Sequence, residues 1–457
     1  MTEAVRDTPP SAVRPPVRAI ALLLPSALNL GIAQILAPVL NAMLARTSDD
    51  PEAAIGGFAV ALGISGLVAL PQLRIQHLTL VFLEGAASLE SLRRFVAVFV
   101  SIVSVVALLL ALTPLAGLVL EQLFATDGAI RDEAAVSLIA LIPFPAFAVA
   151  RMHLYGVALR SERPMVVWGG TIGGATVVLT TAVILLASGV DGAVVAAIAV
   201  SVGAGLEVAG LAIVTSRGSM SRLVAVDAPS QRALLSFFTP LLFVAFLPAV
   251  STPLIIAAVA RAPEADVSLA AFPLAMSVFT FVTLVSFGVQ PTSLSQFSRG
   301  DEPFGVRRFA VFVGFVAMIG GLLVAWVPPL SALVVEDLLG AEGRLAALTI
   351  VGLKILSFLP LLLTVEQLYA TALLQTKRTR ALVYVNVWRL IGLIAFVVLV
   401  PALTEWSGAV IGTGAIAFTL ALEAVAAIAY GRSAFAELVT LARRSTDDPS
   451  APPVASD

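Results

Sequence analysis

The chain has no cysteine, two histidines and few charges: 12% of its 457 residues are Asp, Glu, Lys or Arg, against about a quarter in a soluble domain. Without cysteine there is no disulfide framework, thiolate metal site or thiol nucleophile, and only His77 and His153 supply imidazole. No catalytic residue, metal site or cofactor is therefore expected. No GxxxxGK[ST] run occurs, which disfavours ATP hydrolysis. The near balance of 27 Lys and Arg against 29 Asp and Glu offers no argument for a nucleic-acid partner, and none is expected. Lysine is scarcer still, at two of the 27 cations, a bias that points to a GC-rich bacterial genome. What fills the sequence is 59% hydrophobic residues and a mean hydropathy of +1.02. The expected class is an all-α polytopic protein of the bacterial cell membrane, embedded in lipid.

A helix needs about 20 apolar residues to cross a hydrocarbon core. Twelve such spans can be drawn, at 19–45, 53–83, 94–120, 134–160, 164–188, 191–215, 233–260, 267–297, 307–335, 345–375, 381–402 and 407–431. Several exceed a straight crossing, so bends are expected at Pro38, Pro71, Pro143, Pro145, Pro253, Pro273, Pro291 and Pro360. Basic residues gather on the cytoplasmic side of membrane proteins. The two tails and the loops near 84–94, 160–164, 216–232, 298–308 and 376–380 hold 19 Lys and Arg, and the opposite loops hold four. Both termini are thus expected in the cytoplasm. The polar, Pro-rich residues 1–18 read as a retained, disordered tail rather than a cleaved signal peptide.

The chain also repeats. LRRFVAVFV at 92–100 resembles VRRFAVFVG at 306–314, and HLYGVALRSER at 153–163 resembles QLYATALLQTK at 367–377, both at an offset of 214 residues. The implied organisation is a six-helix bundle over 19–216, a cytoplasmic linker over 217–232, a second bundle in the same orientation over 233–432, and a cytoplasmic tail over 433–457. Parallel repeats place a transport site between the bundles, near the midplane.

Four cations, Arg74, Arg151, Lys354 and Arg389, and three acids, Glu207, Glu366 and Glu423, lie inside the spans. Ionisable groups at that depth cost at least about 2.5 kcal/mol each, so they face a partner, a cavity or a transport path. All but Lys354 fall about 12–15 Å from the cytoplasmic end of their span, at 1.5 Å per residue. Lys354 sits as deep from the other side, one or two turns above Glu366. Arg74 and His77 share a helix face, and Arg151 lies one turn from Tyr155 with His153 beside it. Guanidinium forks match phosphate and carboxylate oxygens. Arg74, His77, Arg151, His153, Lys354, Glu366 and Arg389 are therefore the candidate substrate ligands, with Glu366 also a candidate for proton coupling. The blander reading pairs Arg151 with Glu366, and Glu207 and Glu423 with other cations, merely to hold the bundles together. Asn29, Gln34, Asn41, Tyr155, Glu207, Tyr369 and Glu423 are candidates for coupling or structural roles. WGGTIGG at 168–174 lacks the lysine of a phosphate loop, and its two glycine pairs, Gly169/Gly173 and Gly170/Gly174, suit helix packing instead.

Beyond these readings, LKILSFLPLLLTV (353–365), VWRLIGLIAFVVLVP (387–401) and GAVIGTGA (408–415) resemble the progressive-ankylosis (ANKH) family. VLNAMLAR (39–46), PQLRIQHLTLVFL (71–83) and the set Phe144, Pro145 and His153 agree with it. That family is a branch of the multidrug/oligosaccharidyl-lipid/polysaccharide (MOP) exporter superfamily. The resemblance implies a two-lobed, twelve-helix secondary transporter that is not an enzyme and exports small polyanions such as pyrophosphate, nucleotides or citrate. Lys354 and Arg389 match its basic positions and His153 its histidine. The chain departs from the pattern where the first span has amides for acids and where Glu366 replaces a basic residue. The runner-up is a lipid or lipid-linked saccharide flippase of the same superfamily, followed by cation-coupled multidrug efflux. The last is disfavoured by the lack of an acid between Ala19 and Ala45. A non-transporting scaffold would have its charged layer fully self-paired. A monomer is expected.

Overall fold

The structure is a computed structural model that describes residues 23, 36, 39–44, 46, 48–118, 128–161, 163–216 and 228–447. Residues 1–18, most of the first span with Asn29 and Gln34, and most of the linker lie outside the described residues. The described residues contain helices and turns and no strand. The first lobe comprises α1 (Pro51–Ala69), α2 (Gln72–Phe82), α3 (Ala86–Leu112), α4 (Gly128–Ala140), α5 (Phe144–Arg160), α6 (Pro164–Ala187) and α7 (Val194–Ser216). The second comprises α8 (Gln231–Val259), α9 (Ala265–Phe287), α10 (Val289–Phe297), α11 (Pro303–Trp326), α12 (Gly343–Leu356), α13 (Leu359–Gln375), α14 (Thr379–Leu403) and α15 (Gly408–Asp447). Among the described residues, eight helical stretches are long and apolar enough to cross a membrane, or ten when each sharply bent pair counts as one span.

Proline sets the main breaks, because its ring offers no N–H and is best accommodated where a helix starts. The α4/α5 pair bends by 48° and the α12/α13 pair by 40°. Pro143 and Pro145 open α5, and Pro360 opens α13. Softer interruptions fall at Pro71, between α1 and α2, and at Gly288, between α9 and α10, whose first turn holds Pro291. The helix assignment continues through Pro273 in α9 and through Pro253 in α8. Pro38 lies outside the described residues. The two sharp bends are repeat-equivalent and have a positional consequence. Arg151 and Glu366 each come two turns after the start of α5 or α13, so both are set about 10 Å below their bend at 1.5 Å per residue.

The lobes do not pack evenly. A shared apolar core joins Ile75, Leu78, Leu80, Phe82 and Phe95 of the first lobe to Phe237, Phe238, Val289, Leu294, Phe297 and Leu368 of the second. Edge-to-face rings lock it, with Phe82 to Phe237 at 5.1 Å and Phe95 to Phe238 at 5.5 Å. Polar contacts cross at the same end: Ser298 Oγ reaches Leu80 O at 3.0 Å, Ser295 Oγ reaches Leu159 O at 3.3 Å, and Lys377 Nζ lies 5.1 Å from the Phe82 ring centre. This is the end that carries the basic loops. Toward the opposite end each lobe keeps a core of its own, around Phe58 and Leu141 in the first and around Phe279 and Leu353 in the second. Among the described residues the lobes are thus closed at the basic end and separately packed beyond it.

Candidate functional site

The ionisable groups of the spans fall into three places. The first lies inside the N-terminal lobe. Arg151 Nη1 stands 3.2 Å from Glu207 Oε2, the Tyr155 hydroxyl donates to Glu207 Oε1, and the same hydroxyl meets Thr171 Oγ1 at 2.8 Å. Glu207 and Tyr155 are buried. The local sequence explains the arrangement: Arg151 and Tyr155 share one face of α5, and α7, packed directly on α5, presents Glu207 to it. Gly174 on α6 makes room, since a Cβ there would sit 2.7 Å from Glu207 Oε2. Arg151, Thr171 and Glu207 line a cavity of about 160 Å³ whose other walls include Leu40, Phe58, Leu62 and Phe144. Arg151 Nε has no hydrogen-bond partner among the described residues.

The second place is the lobe interface. Arg389 Nη1 on α14 stands 3.4 Å from Glu423 Oε2 on α15. Glu366 on α13 forms no ion pair or hydrogen bond among the described residues, yet lies within electrostatic reach of Glu423, Arg389 and Arg74. Arg74, in the first turn of α2 after the Pro71 break, comes from the other lobe, acts on Glu366 and Glu423 through its charge, and forms no hydrogen bond or ion pair among the described residues. Arg74, Glu366 and Arg389 are all half-buried rather than sealed. His77 lies one turn further along α2, buried, with Nδ1 unpartnered among the described residues.

The third place holds Lys354 alone. Its Nζ lies over the Trp326 ring at 5.2 Å, and the indole Nε1 in turn donates to Ser357 Oγ at 3.2 Å. Trp326 is half exposed on the outside of the C-terminal lobe. The structure therefore does not bring Lys354 to Arg389, because a cation–π partner on α11 holds the amine at the periphery. Without Lys354 the layer is balanced, with Arg74, Arg151 and Arg389 against Glu207, Glu366 and Glu423. The expected surplus of cations is not there.

Other candidates have structural surroundings. His153 Nδ1 lies 2.9 Å from Thr79 Oγ1, whose own hydrogen goes to Ile75 O. The imidazole is then the donor, and its Nε2 is left buried and unpartnered among the described residues. Tyr369, the repeat counterpart of Tyr155, packs its ring 5.8 Å from Phe435. Asn41 keeps a buried Oδ1 without a partner among the described residues. The pairing of Arg151 with Glu366 does not occur. The two residues lie in different clusters, because α7 offers Glu207 to Arg151 within the same lobe. Of the two glycine pairs, Gly170 and Gly174 pack against Leu211 and Glu207 of α7, whereas a Cβ at Gly169 or Gly173 would meet nothing within 4 Å. Sequence reading missed Thr171, hidden in the glycine motif, and Trp326, whose link to Lys354 leaves no local signal.

No protein-family model matches the chain, and no curated protein does. Solved structures do. An outward-facing multidrug resistance MATE family transporter of the MOP superfamily superposes with a TM-score of 0.72 at 14% identity, covering 94% of this chain and 97% of that one. The Vibrio cholerae MATE transporter VcmN in its bent form gives 0.75 at 16% identity, over 93% and 97%. A MOP superfamily transporter from Pyrococcus furiosus, for which a reversed polarity of the binding pocket is taken to suggest a different function, gives 0.73 at 13% identity, over 93% and 97%. Such alignments span both chains almost end to end at an identity that speaks for fold alone, and the chain has the MATE-like fold of the two-lobed MOP superfamily transporters.

Proposed function

We propose that the chain is a secondary transporter that exports a small anion bearing phosphate or carboxylate groups, of the pyrophosphate, nucleotide or citrate class implied by its ANKH resemblance. The observation that carries this reading is the pair Arg74 and Arg389 at the lobe interface. Arg74 engages none of its donors among the described residues, and Arg389 makes a single ion pair. Under-used guanidinium forks from two lobes, both within electrostatic reach of Glu366 and Glu423, suit an anion that bridges the lobes. If the basic end faces the cytoplasm, closure there makes this the outward-open state. Alternating access then swaps the seal around Phe82 and Phe297 for one at the other end. A single chain carries both lobes, so a monomer suffices.

Charge balance refines the substrate. With Glu366 and Glu423 ionised, the interface set of Arg74, Arg389 and the two acids is neutral, and one proton makes it cationic. Anion uptake is therefore expected to rise as pH falls. Proteoliposomes loaded with labelled pyrophosphate, citrate or ATP test the reading: saturable, protein-dependent flux of at least one anion is expected, and the absence of flux for all three overturns it. Lys354→Met should leave that flux unchanged and cost only about 0.5–1 kcal/mol of stability, the worth of an exposed cation–π contact.

A second reading has its own support. Glu207 lines an apolar cavity with Phe58 and Phe144 nearby, a setting suited to lipophilic cations, and one similar structure is a multidrug transporter. Against it, Arg151 already neutralises Glu207. Ethidium efflux from the same proteoliposomes, abolished by Glu207→Gln and untouched by Arg74→Gln, would establish this reading in place of the first.

A further inference from the structure

We propose that Ser295 and Ser298 on α10 form a hydroxyl latch that holds the basic end of the two lobes shut, and that its release opens the chain on that side. The latch works on two carbonyls that helix endings leave over. The last four carbonyls of a helix have no N–H of their own helix to accept from. At the end of α2, the Glu84 N–H that would have served Leu80 O goes to Ser88 Oγ instead. At the end of α5, the Arg163 N–H that would have served Leu159 O goes to Ala158 O. Both carbonyls belong to the first lobe and both are taken by the second: Ser298 Oγ lies 3.0 Å from Leu80 O, and Ser295 Oγ 3.3 Å from Leu159 O. The helices gripped in this way are the two that carry Arg74 and Arg151.

The two serines differ in their surroundings. Ser295 is buried and accepts from Arg299 Nη1 at 3.0 Å, while Arg299 Nη2 stands 3.6 Å from Asp301 Oδ2. A cationic donor polarises the hydroxyl and strengthens the bond it makes to Leu159 O. Ser298 has one hydrogen and a choice of acceptors, with Leu294 O of its own helix at 2.8 Å and Gln375 Oε1 of α13 at 3.0 Å besides Leu80 O. When the lobes part, that hydrogen turns to Leu294 O, a back-bond that serine makes readily inside a helix. Water entering the opened seam takes its place on Leu80 O. Such a latch breaks without stranding a buried donor, so opening avoids the penalty of an unmade hydrogen bond and stays reversible. Its part in transport rests on the alternating access proposed above and is independent of which substrate is carried.

The chain has no native cysteine, so pairs of spin labels can be placed without background. Ala87→Cys with Glu302→Cys reports on the basic end, and Ala187→Cys with Glu405→Cys on the opposite end, all at exposed positions. Distances are read by double electron–electron resonance on the full chain in phosphatidylcholine vesicles, with no substrate added. Relative to each labelled parent, Ser295→Ala with Ser298→Ala should raise the population with a long basic-end distance about tenfold, equivalent to ~1.4 kcal/mol, and raise the population with a short opposite-end distance by the same factor. Ser298→Ala alone, the milder variant should the double one fail to fold, should give about threefold, as for one hydrogen bond of the two. Ser298→Thr keeps the hydroxyl and should match its parent. Unchanged basic-end distances in both alanine variants overturn the latch, as does an equal response to Ser298→Thr and Ser298→Ala. Broadening at both ends also overturns it, because that marks loosened packing rather than a released contact. Widening at the basic end with no change at the opposite end upholds the latch and overturns instead the rocking motion on which its transport role rests.

Discussion

Arg74→Gln is expected to lower anion flux by about thirtyfold or more, since losing one partner of a desolvated, hydrogen-bonded charge contact costs about 2–5 kcal/mol and each 1.4 kcal/mol is tenfold. The same change should move stability by no more than about 1 kcal/mol, as for a half-exposed charge without a close partner. Arg74 has no ion pair to lose among the described residues, and Arg389 remains beside Glu423. Arg74→Lys separates charge from geometry. An ammonium keeps the field but not the planar fork, so partial recovery is expected for a ligand held by two oxygens and full recovery for one held by charge alone. Fluxes for the three proteins at matched reconstitution, with thermal unfolding as the control, decide it. A wild-type flux in Arg74→Gln would remove the interface from the mechanism.

Glu207→Leu should be the most destabilising single change in the N-terminal lobe. It leaves the partly buried Arg151 guanidinium without its anion and strips the buried Tyr155 hydroxyl of its acceptor. Breaking a buried pair by removing one partner costs about 3–5 kcal/mol, which corresponds to a Tm about 6 °C lower or more for a lobe of this size. Removing both ends behaves differently, because the desolvation penalty goes with the charges. Arg151→Met with Glu207→Leu should regain most of the loss. Gly174→Val acts on the same contact from the α6 side, since its Cβ would press on Glu207 Oε2, and should fall in Tm alongside Glu207→Leu. If the double variant is no more stable than Glu207→Leu alone, the pair is not the unit described.

The fold was legible because a membrane span announces itself by length and hydropathy, and because the Arg151 and Glu366 elements carry the same LYxxAL core at one offset. The bends at Pro143 and Pro360 were legible for the same reason: the residue that breaks a helix is visible by itself. The charged layer was found by depth, which needs only counting along one helix. Its pairing was not, because pairing depends on which faces meet. Depth alone pairs Arg151 with Glu366, whereas the packing of α7 against α5 gives it Glu207 instead. Lys354 shows the limit most plainly. Its depth put it with the layer, and its rotation about α12 put it under Trp326 on the outside.

The most direct measurement is equilibrium binding of labelled pyrophosphate and citrate to the purified protein, in wild type, Arg74→Gln, Arg389→Gln and Lys354→Met. The interface account predicts saturable binding of at least one anion that weakens with rising pH, is lost in both arginine variants and is retained in Lys354→Met. Binding that survives both arginine changes, or that fails with Lys354→Met, would contradict it.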